Sequence, residues 1–196
     1  MKTKKVFGIL VVVLVMVQLL LILISWLIAA AMPQSAIHSL LSNEGLRWFF
    51  GSLMQNLTTP VLPALLLLSM GWGCLDACGL LELRSPTTYR QRFALRVVAL
   101  ELIAIVAAML LLTAIPHAPL LSATGVLFPS SFSDSLLPVV CFVVIVVSLS
   151  YGYVSEKFTS FEMLLDALVR GIRKASPLLL LYVLAAELYA SLRFVF

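Results

Sequence analysis

The chain has 196 residues, of which 62% are hydrophobic and only 11% are charged, and its mean hydropathy is +1.13. Soluble domains carry roughly 25% charged residues, so these few charges cannot coat a water-facing surface. The composition excludes a soluble globular enzyme and predicts that most of the exterior faces lipid. The net charge of +4 does not indicate nucleic-acid binding, because the basic residues form short clusters between apolar runs rather than a continuous stripe.

Five apolar runs are each long enough to cross a bilayer, for which about 20 residues are needed. Lipid cannot satisfy bare backbone polar groups, and no alternating pattern suggests a barrel, so each run is predicted to be a helix. The predicted fold class is all-α, a polytopic integral membrane helical bundle that forms a single membrane domain over 1–196. The predicted spans are about 6–31, 60–81, 93–115, 136–154 and 177–195.

The first run also has features of a secretory signal peptide, because it follows Lys2, Lys4 and Lys5 and ends in consecutive alanines. The apolar core of a signal peptide covers about 7 to 15 residues, whereas this run extends over 6–31. An uncleaved membrane anchor is therefore the favoured interpretation.

Basic residues predict the orientation, since short loops rich in Lys and Arg stay in the cytoplasm. With the N-terminus inside, Arg47 and Arg193 are the only Lys or Arg residues on the outer side. We therefore expect a multi-pass protein of the inner or plasma membrane, with a cytoplasmic N-terminus and an external C-terminus. On the outer side, the segment 116–138 is expected to form a loop or a broken, partly re-entrant segment.

Two further segments repeat apolar residues at spacings of three and four, which is typical of amphipathic interfacial helices. The first covers about 46–57 on the outer side, where it either contacts lipid or packs over the bundle. The second covers about 159–174. Thr159 and Glu162 have the spacing of a capping box at its start, and Pro177 is expected to end it.

Polar groups at membrane depth point to function, because each is costly unless it is paired or hydrated. Glu187 lies about midway along the fifth predicted span. Its functional interpretation is a proton or cation relay, and the favoured alternative is an interhelical hydrogen bond. Asp76 and Glu101 lie closer to the cytoplasmic ends of their spans, where ion pairing with nearby arginines or snorkelling explains them. Gln18 is expected to join helices.

The second predicted span contains small residues at spacings that permit close helix packing, with substrate lining as the minority interpretation. These residues are Ser69, Gly71, Gly73, Ala77 and Gly79. The three cysteines have no histidine at zinc-ligand spacing, and no nucleophile, phosphate loop or dinucleotide fingerprint is evident. We therefore predict no catalytic residues, no metal ligands, no cofactor and no enzyme activity.

The segment 40–81 contains a fixed order of motif residues, beginning with a Leu-Ser-x-Glu-Gly element and continuing to a Gly-Leu pair. They are Leu41, Ser42, Glu44, Gly45, Asn56, Pro63, Gly71, Gly73, Gly79 and Leu80. This order resembles the opening region of the AbgT family of p-aminobenzoyl-glutamate transporters. The segment 125–196 is similar to the last third of the same family. Its matching features are Pro129, Ser130, Tyr151, Gly152, Met163 and Pro177.

The sequence also departs from the family. Leu57 stands where the family has Phe, and Ala64 and Leu65 follow Pro63 where Pro-Leu-Gly is usual. Full-length members are more than twice as long, so the resemblance implies a shortened member that lacks the central region with its re-entrant hairpins and substrate-lining helices. No substrate or sodium ligand of the family transfers to a numbered position here.

Two functions are compatible with this resemblance. The first is an AbgT-like secondary transporter or transporter subunit for a small anionic substrate of the p-aminobenzoyl-glutamate or folate-related class. It would act as a homodimer or beside a partner membrane chain, because five spans can hardly enclose a midplane site alone. The second is a non-transporting membrane scaffold or assembly partner derived from the same fold. Contact with the lipid bilayer is expected in both.

Overall fold

The computed structural model describes residues 2–32, 37–81, 88–114 and 131–196, and within these ranges it contains helices and no strands. The helices are α1 (Lys2–Ala31), α2 (Asn43–Leu57), α3 (Val61–Cys78), α4 (Tyr89–Ala114), α5 (Ser131–Val154) and α6 (Phe161–Val195). All except α2 are long and apolar enough to cross a membrane. The prediction of an all-α membrane protein with five spans is thereby confirmed.

Helix α3 ends before the predicted boundary at residue 81. Its last residue is Cys78, and Gly79 follows with φ 67°. A residue in this left-handed conformation commonly ends a helix, and glycine adopts it without steric cost. Gly79 therefore lies just outside the helix whose packing it was predicted to assist.

Helix α5 begins earlier than predicted. It starts at Ser131 and contains Pro138, so of the two expectations for 116–138, a loop or a broken, partly re-entrant segment, the loop is wrong for the last residues. Proline is tolerated inside membrane helices, because neighbouring groups can satisfy the carbonyl that it leaves free. The remaining part of that segment, 116–130, lies outside the described residues.

The largest difference from the sequence prediction concerns α6. Pro177 does not end an amphipathic helix and open a new span, because Phe161–Val195 is one continuous helix with this proline inside it. Proline removes one backbone hydrogen bond, but apolar helix-forming residues continue the helical pattern on both sides. A helix of 35 residues is about 52 Å long, whereas the hydrocarbon core is about 30 Å thick, so part of α6 extends beyond the core.

The start of α6 also differs by one residue from the predicted capping box. Ser160, rather than Thr159, precedes the helix, and its hydroxyl accepts a hydrogen bond from the Met163 amide at 3.4 Å. The Thr159 hydroxyl instead lies 3.5 Å from the Met163 sulfur. Glu162 remains in the first turn, where the helix dipole favours a negative charge.

Helix α2 confirms the predicted amphipathic helix, and its start explains the Leu-Ser-x-Glu-Gly element. The Ser42 hydroxyl caps the helix by accepting a hydrogen bond from the Gly45 amide at 3.0 Å. A Cβ atom on Gly45 would lie 2.6 Å from the Leu40 Cα atom, so only glycine fits against the preceding segment. On the other side of α2, Phe50 and Met54 are 75% and 76% exposed.

The chain forms two compact units. Unit 1 contains Met1–Pro63 and Ser176–Phe196, and unit 2 contains Ala64–Ala175. The boundaries fall within α3 and α6, close to Pro63 and Pro177. The assignment of 1–196 to a single membrane domain stays a prediction.

Unit 1 joins the start of the chain to its end. Leu21, Leu40 and Val195 form its buried apolar core. The Ser25 hydroxyl donates to the Ile22 carbonyl at 2.9 Å and accepts from the Leu40 amide at 3.3 Å, which fixes the segment before α2 against α1.

Unit 2 is held by α4 packed on α5 and by a close approach of α3 to α6. Its core contains Cys78, Ala94, Val98, Val147, Tyr151, Phe158 and Ala167. The Phe158 ring lies directly over Gly152, where a side chain would collide with it, and the Phe158 amide donates to the Gly152 carbonyl at 3.0 Å. This packing gives the Tyr151 and Gly152 motif a structural role in the turn between α5 and α6.

Candidate functional site

Unit 1 contains an open groove of about 920 Å³, which we call the α2–α6 groove. Its lining comes from the segment before α2, from α2 and its C-terminal end, and from the last turns of α6. The lining residues are His38, Trp48, Gln55, Asn56, Thr59, Tyr182, Ala185, Ala186, Tyr189, Ala190, Arg193, Phe194 and Phe196. Ligand sites commonly have volumes of about 300–1,000 Å³, so the groove can hold a small organic molecule.

A hydrogen-bonded group closes one end of the groove. The Tyr182 hydroxyl donates to the Leu57 carbonyl at 3.1 Å, and the Thr59 hydroxyl lies 2.5 Å from the same tyrosine oxygen. Because the tyrosine proton is directed to the carbonyl, the threonine is the donor in the second bond. These bonds satisfy the carbonyl at the end of α2 and tie the connection between α2 and α3 to α6.

Aromatic rings line the other end. Trp48 stacks on Phe194 with ring centroids 4.4 Å apart, and His38 lies 5.7 Å from the same phenylalanine ring. Trp48 thus packs over the end of α6. Arg193 is the only Lys or Arg among the described lining residues, and it is exposed. The groove therefore offers aromatic faces beside one permanent positive charge.

Behind the groove lies a cluster of buried polar atoms from three helices. The Asn56 side chain, which lines the groove, lies beside the Glu187 carboxylate. The Gln18 amide donates to the Ser191 hydroxyl at 2.8 Å and so joins α1 to α6. Ser191 lies four residues after Glu187, on the same face of α6.

This cluster lacks hydrogen-bond partners for several of its atoms. Within the part of the chain that the structure describes, Gln18 Oε1, Asn56 Nδ2 and both carboxylate oxygens of Glu187 are buried without a partner. Buried unpaired polar atoms are costly and rare in native proteins, so a group of them marks a candidate binding site. The sequence singled out Gln18 and Glu187, but it gave no indication that Asn56 completes the cluster.

Asp76 and Glu101 lie in unit 2, apart from these cluster contacts. Asp76 pairs with Lys174 at 2.5 Å, so its partner is on α6 and is not Arg84, which lies outside the described residues. Glu101 accepts a hydrogen bond from the Ser150 hydroxyl at 3.1 Å, and its Oε2 is buried without a partner among the described residues. Its expected ion pair with Arg96 is not among the ion pairs found in the described ranges.

The small residues of α3 face different surroundings. Gly73 lies against Gly171 of α6, and a Cβ atom on Gly171 would lie 2.6 Å from the Ser69 carbonyl carbon. Gly71 faces Val144 at an ordinary contact distance of 3.4 Å, and Ala77 packs at the edge of the unit 2 core. Gly171 was not among the predicted packing residues, although an isolated glycine within an amphipathic pattern indicates a close packing contact.

No group of three or more His, Cys, Asp or Glu side chains among the described residues could hold a metal ion. The three cysteines, Cys74, Cys78 and Cys141, are free and buried. Such thiols behave as small apolar side chains in a helical core.

Five apolar helices long enough to span a bilayer, with polar atoms buried between some of them, define a multi-pass membrane protein. The chain belongs to the AbgT putative transporter family, whose sequence pattern matches residues 82–195, more than half of the chain. No curated protein and no solved structure matches it.

The family match covers only one of the two segments that resemble the family in sequence. It includes almost all of the second stretch, 125–196, although Gly125, Pro129 and Ser130 lie outside the described residues. The first stretch, 40–81, precedes the matched residues, so its resemblance stays a prediction. Membership identifies the chain as a membrane protein of a transporter family.

Proposed function

We propose that the chain is a subunit of a secondary transporter that moves p-aminobenzoyl-glutamate or a related folate fragment across the inner or plasma membrane. The observation that carries this proposal is the α2–α6 groove, which places aromatic rings and one arginine on the same concave surface. A substrate of this class has an aromatic ring and carboxylates. Its ring suits Trp48 and Tyr189, and a carboxylate suits Arg193.

The proposal includes a second chain, either a copy of this one or a partner membrane protein. The groove is partly open, whereas transporters enclose the substrate at the repeat interface during part of the cycle. A second chain against this surface would supply the missing wall. The basic residues favour a cytoplasmic N-terminus and an external C-terminus.

Uptake of labelled p-aminobenzoyl-glutamate into proteoliposomes tests the transport function. We expect uptake above that of protein-free vesicles, reduced roughly 10- to 150-fold by Arg193→Gln, because one charge-assisted hydrogen bond contributes about 1.5–3 kcal/mol. Arg47→Gln is the matched control, since Arg47 is also an exposed arginine of unit 1 but does not line the groove.

The alternative function is a non-transporting scaffold or assembly partner of the same fold. It predicts a stable homodimer or a stable complex with another membrane chain, and no uptake in either assembly. Absence of uptake from vesicles that contain an intact complex would therefore replace the transport proposal with the scaffold function.

A further inference from the structure

Unit 1 contains only two acidic residues, and one side chain is exposed whereas the carboxylate of the other is buried. Glu44 is exposed in the first turn of α2, where a negative charge is favourable. Glu187 lies within a helix that is apolar enough to span a membrane, and both its carboxylate oxygens are buried. A charge in this position is costly unless something neutralises it.

The described charged side chains of unit 1 form no ion pair that would provide that neutralisation. Helix α1 contributes the neutral amide of Gln18, and α2 contributes the neutral amide of Asn56. On α6 the nearest cation in sequence is Arg193, about 9 Å further along the helix axis, and it is exposed. The groove also contains His38, Tyr182 and Tyr189. Glu187 forms no ion pair with any described residue.

The unpaired atoms of the cluster are unbalanced between donors and acceptors. Gln18 Oε1 and the two Glu187 oxygens are buried acceptors without a partner, whereas Asn56 Nδ2 is the one buried side-chain donor without a partner in the described part of unit 1. Adding one proton to Glu187 converts one carboxylate oxygen into a donor and removes the buried charge at the same time. A proton therefore corrects both the charge and the hydrogen bonding.

A sodium ion fits this cluster less well. It requires several oxygen ligands around one point, and the cluster offers three unpaired oxygens. A proton requires only one oxygen and an acceptor for the new O–H group.

From these contacts we propose that Glu187 is a proton-binding site, loaded and emptied through the α2–α6 groove. Its carboxylate accepts a proton from water in the groove to form the neutral acid, and the same proton returns to water when the carboxylate forms again. Asn56 both lines the groove and lies beside the carboxylate, so it marks the point of access. The use of this site in transport rests on the proposed function, but proton binding itself does not.

Infrared difference spectroscopy of the protein in lipid vesicles tests the site directly. The wild-type protein should show the carbonyl stretch of a buried protonated carboxylic acid, and this band should disappear reversibly as the pH is raised. Glu187→Gln should remove the band, whereas Glu44→Gln should leave it intact. Glu187→Asp should restore a band at a different frequency, which separates loss of the proton site from misfolding.

Asn56→Leu provides a readout of the neighbouring contact. It should shift the frequency of the Glu187 band, because the amide no longer lies beside the acid. Matched pH titrations in sodium buffer and in choline buffer distinguish proton binding from sodium binding. If no acid band depends on Glu187, or if the band persists across the whole pH range, the proposal is wrong. A carboxylate band that responds to sodium at constant pH would overturn it in favour of a sodium site.

Uptake measured over the same pH range connects the site to transport. We expect Glu187→Gln to abolish the pH dependence of p-aminobenzoyl-glutamate uptake, while Glu44→Gln preserves it. The two proposals fail separately. A titrating Glu187 band without uptake contradicts the transport function alone, and uptake without such a band contradicts the proton site alone.

Discussion

Replacing Gly171 with alanine should destabilise unit 2 through the contact between α3 and α6. The added Cβ atom would meet the backbone of α3, at 2.6 Å from the Ser69 carbonyl carbon and 2.9 Å from the Gly73 nitrogen. Backbone atoms cannot rotate away as a flexible side chain can. The two helices must therefore separate, and packing around the contact is lost with them.

The expected magnitude follows from two opposing effects. Overpacking of a well-packed core costs about 1–3 kcal/mol, and a collision with the backbone of α3 belongs near the upper end. Alanine is favoured over glycine within a helix by about 1 kcal/mol. The net loss is about 2 kcal/mol, which lowers the folded-to-unfolded ratio roughly 30-fold.

A thiol-reactive dye can report this loss, because the cysteines of unit 2 are free and buried. Cys74 and Cys78 are both 0% exposed, so they react when unit 2 opens. In detergent or lipid, Gly171→Ala should lower the thermal midpoint by roughly 4–8 °C. Gly71→Ala is the matched control, because the nearest atom to its Cβ is 3.4 Å away. Equal midpoints for the two variants would refute the assigned close approach.

Three further outcomes are expected. Tyr182→Phe removes the hydroxyl that bonds to Leu57 and Thr59, and a loss of about 1 kcal/mol should speed hydrogen exchange between α2 and α3 roughly fivefold; unchanged exchange would contradict this role. Lys174→Met breaks the ion pair with Asp76, but both side chains are exposed, at 56% and 41%, so the free energy of unfolding should fall by less than about 1 kcal/mol; a larger loss in chemical denaturation would contradict this. Tags at the two chain ends should be labelled from opposite faces of the membrane, and labelling from one face would disprove the predicted orientation.

The sequence predicted the spans well because hydropathy measures the same property that the bilayer selects. The predicted helix boundaries were less accurate at proline and glycine, because each of these residues occurs both at helix ends and inside membrane helices. Pro177 was expected to end a helix, but a proline inside a membrane helix removes only one hydrogen bond and α6 continues through it. Gly79 was grouped with packing residues, yet its left-handed conformation places it after α3.

Contacts distant in sequence were the least predictable part of the candidate site. Glu187 was conspicuous as an acid within an apolar run, whereas Asn56 is an ordinary polar residue near the end of an amphipathic helix. Periodicity gives the face of each helix but not the helix that it meets. The partner of Asp76 shows the same limit, because Lys174 is 98 residues away, whereas the sequence pointed to the nearby Arg84.

Unit 1 is built from two segments that are far apart in the sequence, and this has a consequence for biosynthesis. Ser25 and Leu40 are 15 residues apart and can meet as soon as both leave the ribosome, whereas Gln18 and Ser191 are separated by 173 residues. At about 5–20 residues per second, α1 waits roughly 10–35 s in the bilayer before its hydrogen-bond partner is synthesised. Throughout that interval the Gln18 amide lacks its Ser191 partner, so the whole of unit 2 is synthesised before unit 1 can form this hydrogen bond.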